Sequence, residues 1–357
     1  MMEGITGTTA ITIGLDVSDR FTEAYAIDAN GEFVASWRMP TKAAALREQL
    51  SRYPGARVVL EVGCHSPWIS RQLKEDGFEV IVANPRRVRL IAESDAKSDR
   101  MDAEQLARLG RIDPGLLSPI VHRGEQAQRD RVLLLARDGL VRSRTLLINQ
   151  ARGFAKSLGA RLPSSTSDAF AKRVRESVGE DLFPGLEAIL RMVEQLTQEI
   201  HSIDRQVERL CEDRYPVTEQ LQQPSGVGAL TALAFVLTIE DPNRFAKSRH
   251  VGPYIGLRPR RRDSGDRRPQ LPITKAGDRM MRRLLVSAAH YILGPFGPDT
   301  DLRRFGLRIA ERGGKAAKKR AAVAVARKLA VLLHRLWVTG EAYQALGYGR
   351  SEDGKAA

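Results

Sequence analysis

The hydrophobic period of this chain changes at about residue 120, and that change restricts the folds open to it. Before it, short apolar–polar alternations at 10–17, 22–28 and 32–38, with the turn DANG between the last two, predict a three-strand meander. A helix over about 41–52, a strand at 57–61, a helix over 66–76 and a strand at 78–82 follow. This order predicts an α/β layer. After about 123 the period is helical. Leu133, Leu140, Leu147 and Phe154 recur every seven residues, and Leu186, Ile189, Val193, Leu196, Ile200, Ile203, Val207 and Leu210 hold a 3-4 spacing. That spacing predicts a coiled coil, closed within one chain or between two chains. The expected fold class is α/β plus all-α, divided as 1–118, a helical 119–215, a mostly helical 216–345 and a disordered tail 346–357.

Four carboxylates stand out in the first part. Asp16 ends the apolar run ITIGLDVS, and Glu61 ends RVVLEVG. Asp99 and Asp102 open the helical stretch KSDRMDAEQLARL at i, i+3, so a helix carries both on one face. Carboxylates that close repel unless a cation sits between them. An all-oxygen set without a histidine–cysteine spacing favours Mg²⁺ or Mn²⁺ over zinc. The ordinary alternative makes Asp16 a turn residue, Glu61 a strand end and Asp99 a helix N-cap. Cys64 and His65, close to Glu61, read as wall or surface. The two cysteines, Cys64 and Cys211, suggest no disulfide framework and fit a reducing cytoplasm.

Charge is unevenly spread. The formal net charge is +14 over 357 residues, yet residues 1–120 hold 15 Lys+Arg against 17 Asp+Glu. The excess therefore lies in the later part, as expected of a nucleic-acid partner. Residues 244–283 alone carry 13 Lys+Arg against Asp263, Asp266 and Asp278. The loop RPRRRDSGDRRPQ lies there. Candidate nucleic-acid contacts are Arg258, Arg260, Arg261, Arg262, Arg267 and Arg268, with Lys275, Arg279, Arg282 and Arg283 after them. Gly226 and Gly228 precede an apolar helix and could offer N–H groups to a phosphate, although the same pattern makes a plain packing corner. Few aromatics lie among the basic loops, so no base-stacking platform is evident. No apolar run is long enough for a membrane span, and the first residues lack the charge and apolar pattern of a secretion signal.

Taken in order, Asp16, Glu61 and the run Lys97-Ser98-Asp99-Arg100-Met101-Asp102-Ala103 resemble the DEDD domain of a bacterial insertion-element transposase family. This is the "one-ten" insertion-sequence family, also called bridge-RNA-guided recombinases. Ser225-Gly226-Val227-Gly228, Gly256-Leu257-Arg258-Pro259, Ser264-Gly265 and Lys275-Ala276-Gly277-Asp278 before Arg282 resemble the motifs of its second domain. Ser225 stands where proline is frequent, and Asp263 where a second serine is common. The resemblance implies a RuvC-like (RNase H-like) N-terminal fold, with Asp16, Glu61, Asp99 and Asp102 as metal ligands. It implies Ser264 as a nucleophile forming a transient 5′-phosphoserine link, acting on donor and target DNA with a guide RNA, in a homo-oligomer (dimer or tetramer) with composite active sites near the bacterial nucleoid. On the residues alone Ser264 reads as a turn serine. Alternatives are a junction nuclease using water, a sugar-kinase-like or actin-like ATPase suggested by IGLDVSD, and a non-catalytic nucleic-acid-binding scaffold.

Overall fold

A computed structural model describes residues 10–84, 98–178, 184–262 and 271–347. Two compact units divide at Gly124/Glu125.

The first unit is a mixed sheet with helices on both faces. Its strands are β1 (Ile11–Val17), β2 (Phe21–Asp28), β3 (Phe33–Pro40), β4 (Arg57–Glu61) and β5 (Glu79–Ala83). Their spatial order is β3-β2-β1-β4-β5. The first three are antiparallel neighbours, whereas β1–β4 and β4–β5 are parallel. The meander turns at Gly31, whose φ of 89° suits glycine. The parallel strands require crossovers, which α1 (Ala43–Leu50) and α2 (Ser66–Glu75) supply. Ile13, Leu15, Val58 and Leu60 pack with Leu46, Leu50, Ile69 and Leu73 on that face. By strand alternation Thr12, Gly14 and Asp16 face the other side, with Arg57, Val59 and Glu61. There α3 (Asp99–Ile112) lies across the sheet, with Leu106 packed against Val59 and Ile81, and Ala103 and Ala107 against Tyr25 and Ile27.

The second unit begins with two long helices, α4 (Glu125–Ser157) and α6 (Pro184–Arg214), with α5 (Phe170–Val178) between them. Their polar pairings run in opposite senses along the chain. Arg214 meets Asp130 at 2.9 Å, Arg137 meets Asp204, and Arg144 meets Thr197 at 3.0 Å. The two helices are therefore an antiparallel hairpin within one chain. Ile148 and Ala151 join Phe170, Val174, Leu186, Leu190 and Val193 at its far end. Beyond α7 (Val217–Leu221), the helix α8 (Ala229–Ile239) is buried from Thr231 to Ile239. It packs in one core with Ile255 of α9 (Val251–Ile255), Leu285 and Ala289 of α10 (Arg279–Leu293), and Val325, Leu329 and Leu333 of α12 (Gly314–Thr339). Helix α11 (Asp301–Ala310) contributes Leu302. Among the described residues no helix is long and apolar enough to cross a membrane. Most of the expected tail, residues 348–357, lies outside the described residues.

Candidate active site

The four carboxylates are brought together by one close contact. Gly14 sits in mid-strand, and a Cβ there would stand 1.9 Å from the Ala103 carbonyl oxygen and 2.7 Å from the Ala107 nitrogen. Glycine thus lets α3 lie directly on β1. Three residues after Ala107, Gly110 makes a second close contact against Val59, where a Cβ would meet Cγ2 at 2.4 Å. The buried Arg57 donates from Nη1 to the Gly110 carbonyl at 3.0 Å and pairs with Glu79 at 3.0 Å, tying down this end of the helix. Moving from Arg57 towards Asp16 along the sheet therefore means moving from Gly110 back towards Asp99 along the helix.

The register places the rest. Gly14 pairs with Val59 and Leu15 with Leu60. One residue further, Asp16 and Glu61 end neighbouring parallel strands on the α3 side. Asp99 lies one turn before Ala103, and Asp102 one turn before Leu106, so both precede the buried stripe of α3. Ser98, rather than Asp99, caps the helix: its hydroxyl accepts from the Met101 N–H at 3.3 Å. Asp99 and Asp102 occupy the first turn, where the helix dipole favours negative charge.

Burial and neighbouring charge act together on Asp16. Its pKa is pushed from 3.8 up to about 6, first by burial, then by the charges of Asp99, Asp102, Glu61 and Glu23. Glu23 is its cross-strand partner in β2. Asp102 Oδ1 is buried and has no hydrogen-bond partner. A hard cation would answer both features, since it takes oxygen ligands and removes carboxylate repulsion. Among the described residues no group of three or more His, Cys, Asp or Glu side chains is arranged to hold a metal ion. The carboxylates are neighbours by charge rather than a closed ligand shell.

The loops around this corner are linked to each other. Trp68 Nε1 donates to His65 Nδ1 at 3.1 Å, leaving Nε2 to donate to Asp19 Oδ1 at 3.0 Å. This joins the β1–β2 turn to the loop after β4. The Ser66 hydroxyl accepts from the Gly63 N–H at 3.0 Å, donates to the Gly63 carbonyl at 2.9 Å and lies 2.9 Å from His122 Nε2. Burial, then Arg71, Lys74 and Arg123, hold the His122 pKa below its ordinary value. Cys64 is exposed.

In the second unit, the residues flanking the arginine-rich loop form a two-stranded foot. Pro259 bridges Ile273, the Arg260 N–H donates to the Pro272 carbonyl at 2.9 Å, and the Thr274 N–H to the Arg258 carbonyl at 2.9 Å. Gly256 and Gly277 make this foot possible, because a Cβ on either would stand 2.1 or 2.2 Å from a backbone oxygen. Ser264, Arg267 and Arg268 lie outside the described residues, as do Asp263, Asp266 and Lys97.

The other candidate contacts separate by environment. Arg258, Arg260, Arg261, Arg262, Lys275 and Arg279 are exposed. Arg282 is half-buried and donates to the Ile255 carbonyl at 2.9 Å and to the Ala276 carbonyl. Arg283 pairs with Asp138. Gly226, at φ 84°, approaches Ala288 and Tyr291 of α10, and Gly228 is the N-cap of α8. Sequence reasoning missed Gly14, Arg57 and the Ser98 cap. The glycine inside ITIGLD was the available signal of close backbone approach, and Ser98 before Asp99 was the signal of a cap.

Comparison with known proteins gives two family matches, the first of which crosses the boundary between the units. Residues 13–158 match a transposase family model of the IS110 DEDD type, and residues 218–300 match the model described as transposase IS116/IS110/IS902 family. The chain is 28% identical over 343 residues to the transposase for insertion sequence element IS1111A of Coxiella burnetii, covering 93% of this chain and 91% of the relative. It is 29% identical over 250 residues to the transposase for insertion sequence element IS1328 of Yersinia enterocolitica, covering 68% and 73%. A probable family 20 transposase of Pseudomonas aeruginosa is 25% identical over 297 residues, covering 82% and 86%.

Proposed function

The chain belongs to the IS116/IS110/IS902 family of insertion-sequence transposases, and from this premise we propose that it cuts and rejoins DNA through a serine, assisted by a divalent metal. The observation that carries the reading is Asp16, a half-buried carboxylate whose pKa is raised to about 6 by burial and by Asp99, Asp102 and Glu61. A site that raises a carboxylate pKa in this way favours positive charge. Asp16, Glu61, Asp99 and Asp102 would hold Mg²⁺ or Mn²⁺, which when bound stabilises charge on phosphate oxygens and orients the ester. The sheet order and the helix laid across β1 are in keeping with a RuvC-like (RNase H-like) first unit.

Ser264 Oγ attacks the phosphorus, a new ester forms, and the bond to the 3′ oxygen breaks. The hydroxyl proton ends on that released oxygen. The phosphoserine keeps the energy of the phosphodiester, so reversal with another 3′ hydroxyl rejoins strands without ATP. The exposed Arg258, Arg260, Arg261 and Arg262 on the loop foot suit phosphate binding, where guanidinium pairs bidentately. Contacts of this kind position a nucleic acid without reading bases. Sequence choice then falls to a guide RNA, as the family resemblance implies, with the protein holding the duplex by backbone and shape.

Two variants, Ser264→Ala and Asp102→Ala, test the reading when scored for a covalent protein–DNA adduct and for recombinant product. Both should fail to give product, and the adduct should vanish with Ser264→Ala. Normal recombination by Ser264→Ala would overturn the nucleophile and favour water attack. Mixing Asp16→Ala with Ser264→Ala chains tests whether metal ligands and serine act from different copies, in which case partial product returns.

A further inference from the structure

The second unit holds a groove of about 1000 Å³ between α11, α12 and the foot of the arginine-rich loop. Its floor is apolar. Phe305 and Ile309 of α11 face Val323, Ala324 and Val331 of α12, and Leu271 and Pro272 close one side. Its rim is cationic, with Arg312, Lys319, Arg320 and Arg327 all exposed. Lys328 extends over the Phe305 ring at 4.1 Å. Asp301 is the one acidic residue lining it, and its carboxylate accepts the Gly347 N–H at 2.8 Å.

These rim cations differ from six ion-paired arginines elsewhere in the unit. Arg131, Arg137, Arg144, Arg175, Arg214 and Arg283 each face a carboxylate. Among the described residues Arg312, Lys319, Arg320 and Arg327 form no such pair. Four uncompensated cations around an apolar trough suit a ligand that carries repeated negative charge and flat apolar groups between the charges. A duplex offers the charge and keeps its bases stacked inside. An unpaired strand offers both, and bases stack on aromatic and apolar surfaces without regard to sequence. The volume lies at the upper end of the roughly 300–1,000 Å³ typical of ligand pockets.

We infer that this groove binds an unpaired nucleic-acid strand, with bases over Phe305 and the α12 floor and phosphates on Arg312, Lys319, Arg320 and Arg327. The inference rests on the proposed function for its choice of nucleic acid over an acidic peptide. Pro259, Leu271, Pro272 and Ile273 belong to both the groove wall and the foot of the Ser264 loop. A strand bound here would lie where the loop leaves the folded unit.

The test is fluorescence anisotropy on the full-length chain, without divalent metal, using a labelled oligothymidylate, an abasic strand of equal length and a blunt duplex. The base-bearing strand should bind about tenfold more tightly than the abasic one, given stacking of about 1–3 kcal/mol per base. Ala324→Trp, which fills the trough, should remove that preference and leave duplex binding unchanged. Phe305→Leu keeps apolar bulk and should weaken base-bearing strand binding roughly fivefold. Arg320→Gln with Arg327→Gln should flatten the dependence of log affinity on log salt by about 0.7 per lost phosphate contact. Equal affinity for base-bearing and abasic strands would overturn the inference. So would a preference retained in Ala324→Trp, or a labelled polyglutamate peptide that binds wild type but not Ala324→Trp while oligothymidylate binds both alike. No chemistry enters this assay, so failure of the active-site assignment and failure of the groove are read separately.

Discussion

Gly14→Ala tests the contact that assembles the carboxylates. The added Cβ would stand 1.9 Å from the Ala103 oxygen and 2.7 Å from the Ala107 nitrogen. Unbonded heavy atoms settle at roughly 3.5 Å, so α3 must retreat by about 1.5 Å. Both obstacles are helix backbone, which cannot rotate away as a side chain would. Overpacking a tight interior costs about 1–3 kcal/mol, and a clash with two backbone atoms belongs at about 3 kcal/mol. Gly63→Ala is the control, because a Cβ there meets nothing within 4 Å; it should change stability by no more than about 0.5 kcal/mol. Trp37 and Trp68 lie in the first unit and Trp337 in the second, so urea unfolding followed by tryptophan fluorescence in a Trp337→Phe background reports the first unit. A second readout follows Asp16 by carboxyl NMR. If α3 retreats, Asp99 and Asp102 retreat with it, and the Asp16 pKa falls from about 6 towards 3.8. A Gly14→Ala chain as stable as its parent, with the Asp16 pKa unmoved, would refute the argument.

Other perturbations follow from the same geometry. The Asp16 pKa is higher folded than unfolded, so the ionised side chain opposes folding, fully above about pH 6 and not at all well below pH 3.8. After discounting for its partial exposure, Asp16→Asn should stabilise the first unit by about 1–2 kcal/mol at pH 8 and by nothing near pH 3, measured by urea unfolding at both pH values. Asp278 caps α10 through the Met281 N–H at 2.8 Å and pairs with Arg131. Asp278→Ala should cost about 3–5 kcal/mol, because it strands the Arg131 charge, as thermal unfolding of the second unit would record. Arg282→Met should cost about 1–3 kcal/mol by leaving the Ile255 and Ala276 carbonyls unpaired. Arg260→Gln should leave stability alone and reduce the salt slope of duplex binding by about 0.9.

Much of the fold was legible because its periods are pure. The five strands lie within two residues of their expected bounds, and the two heptad stretches became α4 and α6. The heptads could not say whether their seam closes within a chain or between chains, because the apolar spacing is the same for both. The pairings Arg214–Asp130, Arg137–Asp204 and Arg144–Thr197 bring the two helices together within one chain, and those polar contacts leave no period in a sequence. Asp16 and Glu61 were visible as residues ending apolar runs and Asp99 and Asp102 as a pair opening a helical stretch, but their proximity depends on Gly14 and Ala103 meeting across a long stretch of chain. The arginines of 244–283 looked alike in sequence. The structure divides them into exposed cations, such as Arg260, and structural ones, such as Arg282, according to which face of a helix or hairpin they occupy. The groove was invisible for the same reason: Phe305, Val323 and Pro272 come from three separate segments.

Charge distribution connects the two units chemically. A phosphate approaching four carboxylates meets repulsion of about 1 kcal/mol for each charge at 4 Å in water, and several-fold more where solvent is excluded. The first unit, with its small acidic excess, offers DNA no net attraction. In the second unit the hairpin arginines are largely neutralised by their own carboxylates, so the formal +14 does not arise from them. It resides in exposed cations at 258–262, in Lys275 and Arg279, and along the outer side of α12. The exposed cations and the four carboxylates therefore lie in different units of the chain. The same carboxylates that raise the pKa of Asp16 would keep a phosphodiester away until a divalent cation offsets their charge. A binding surface that works without metal, together with a cutting site that needs it, would let this chain hold nucleic acid before committing to break it.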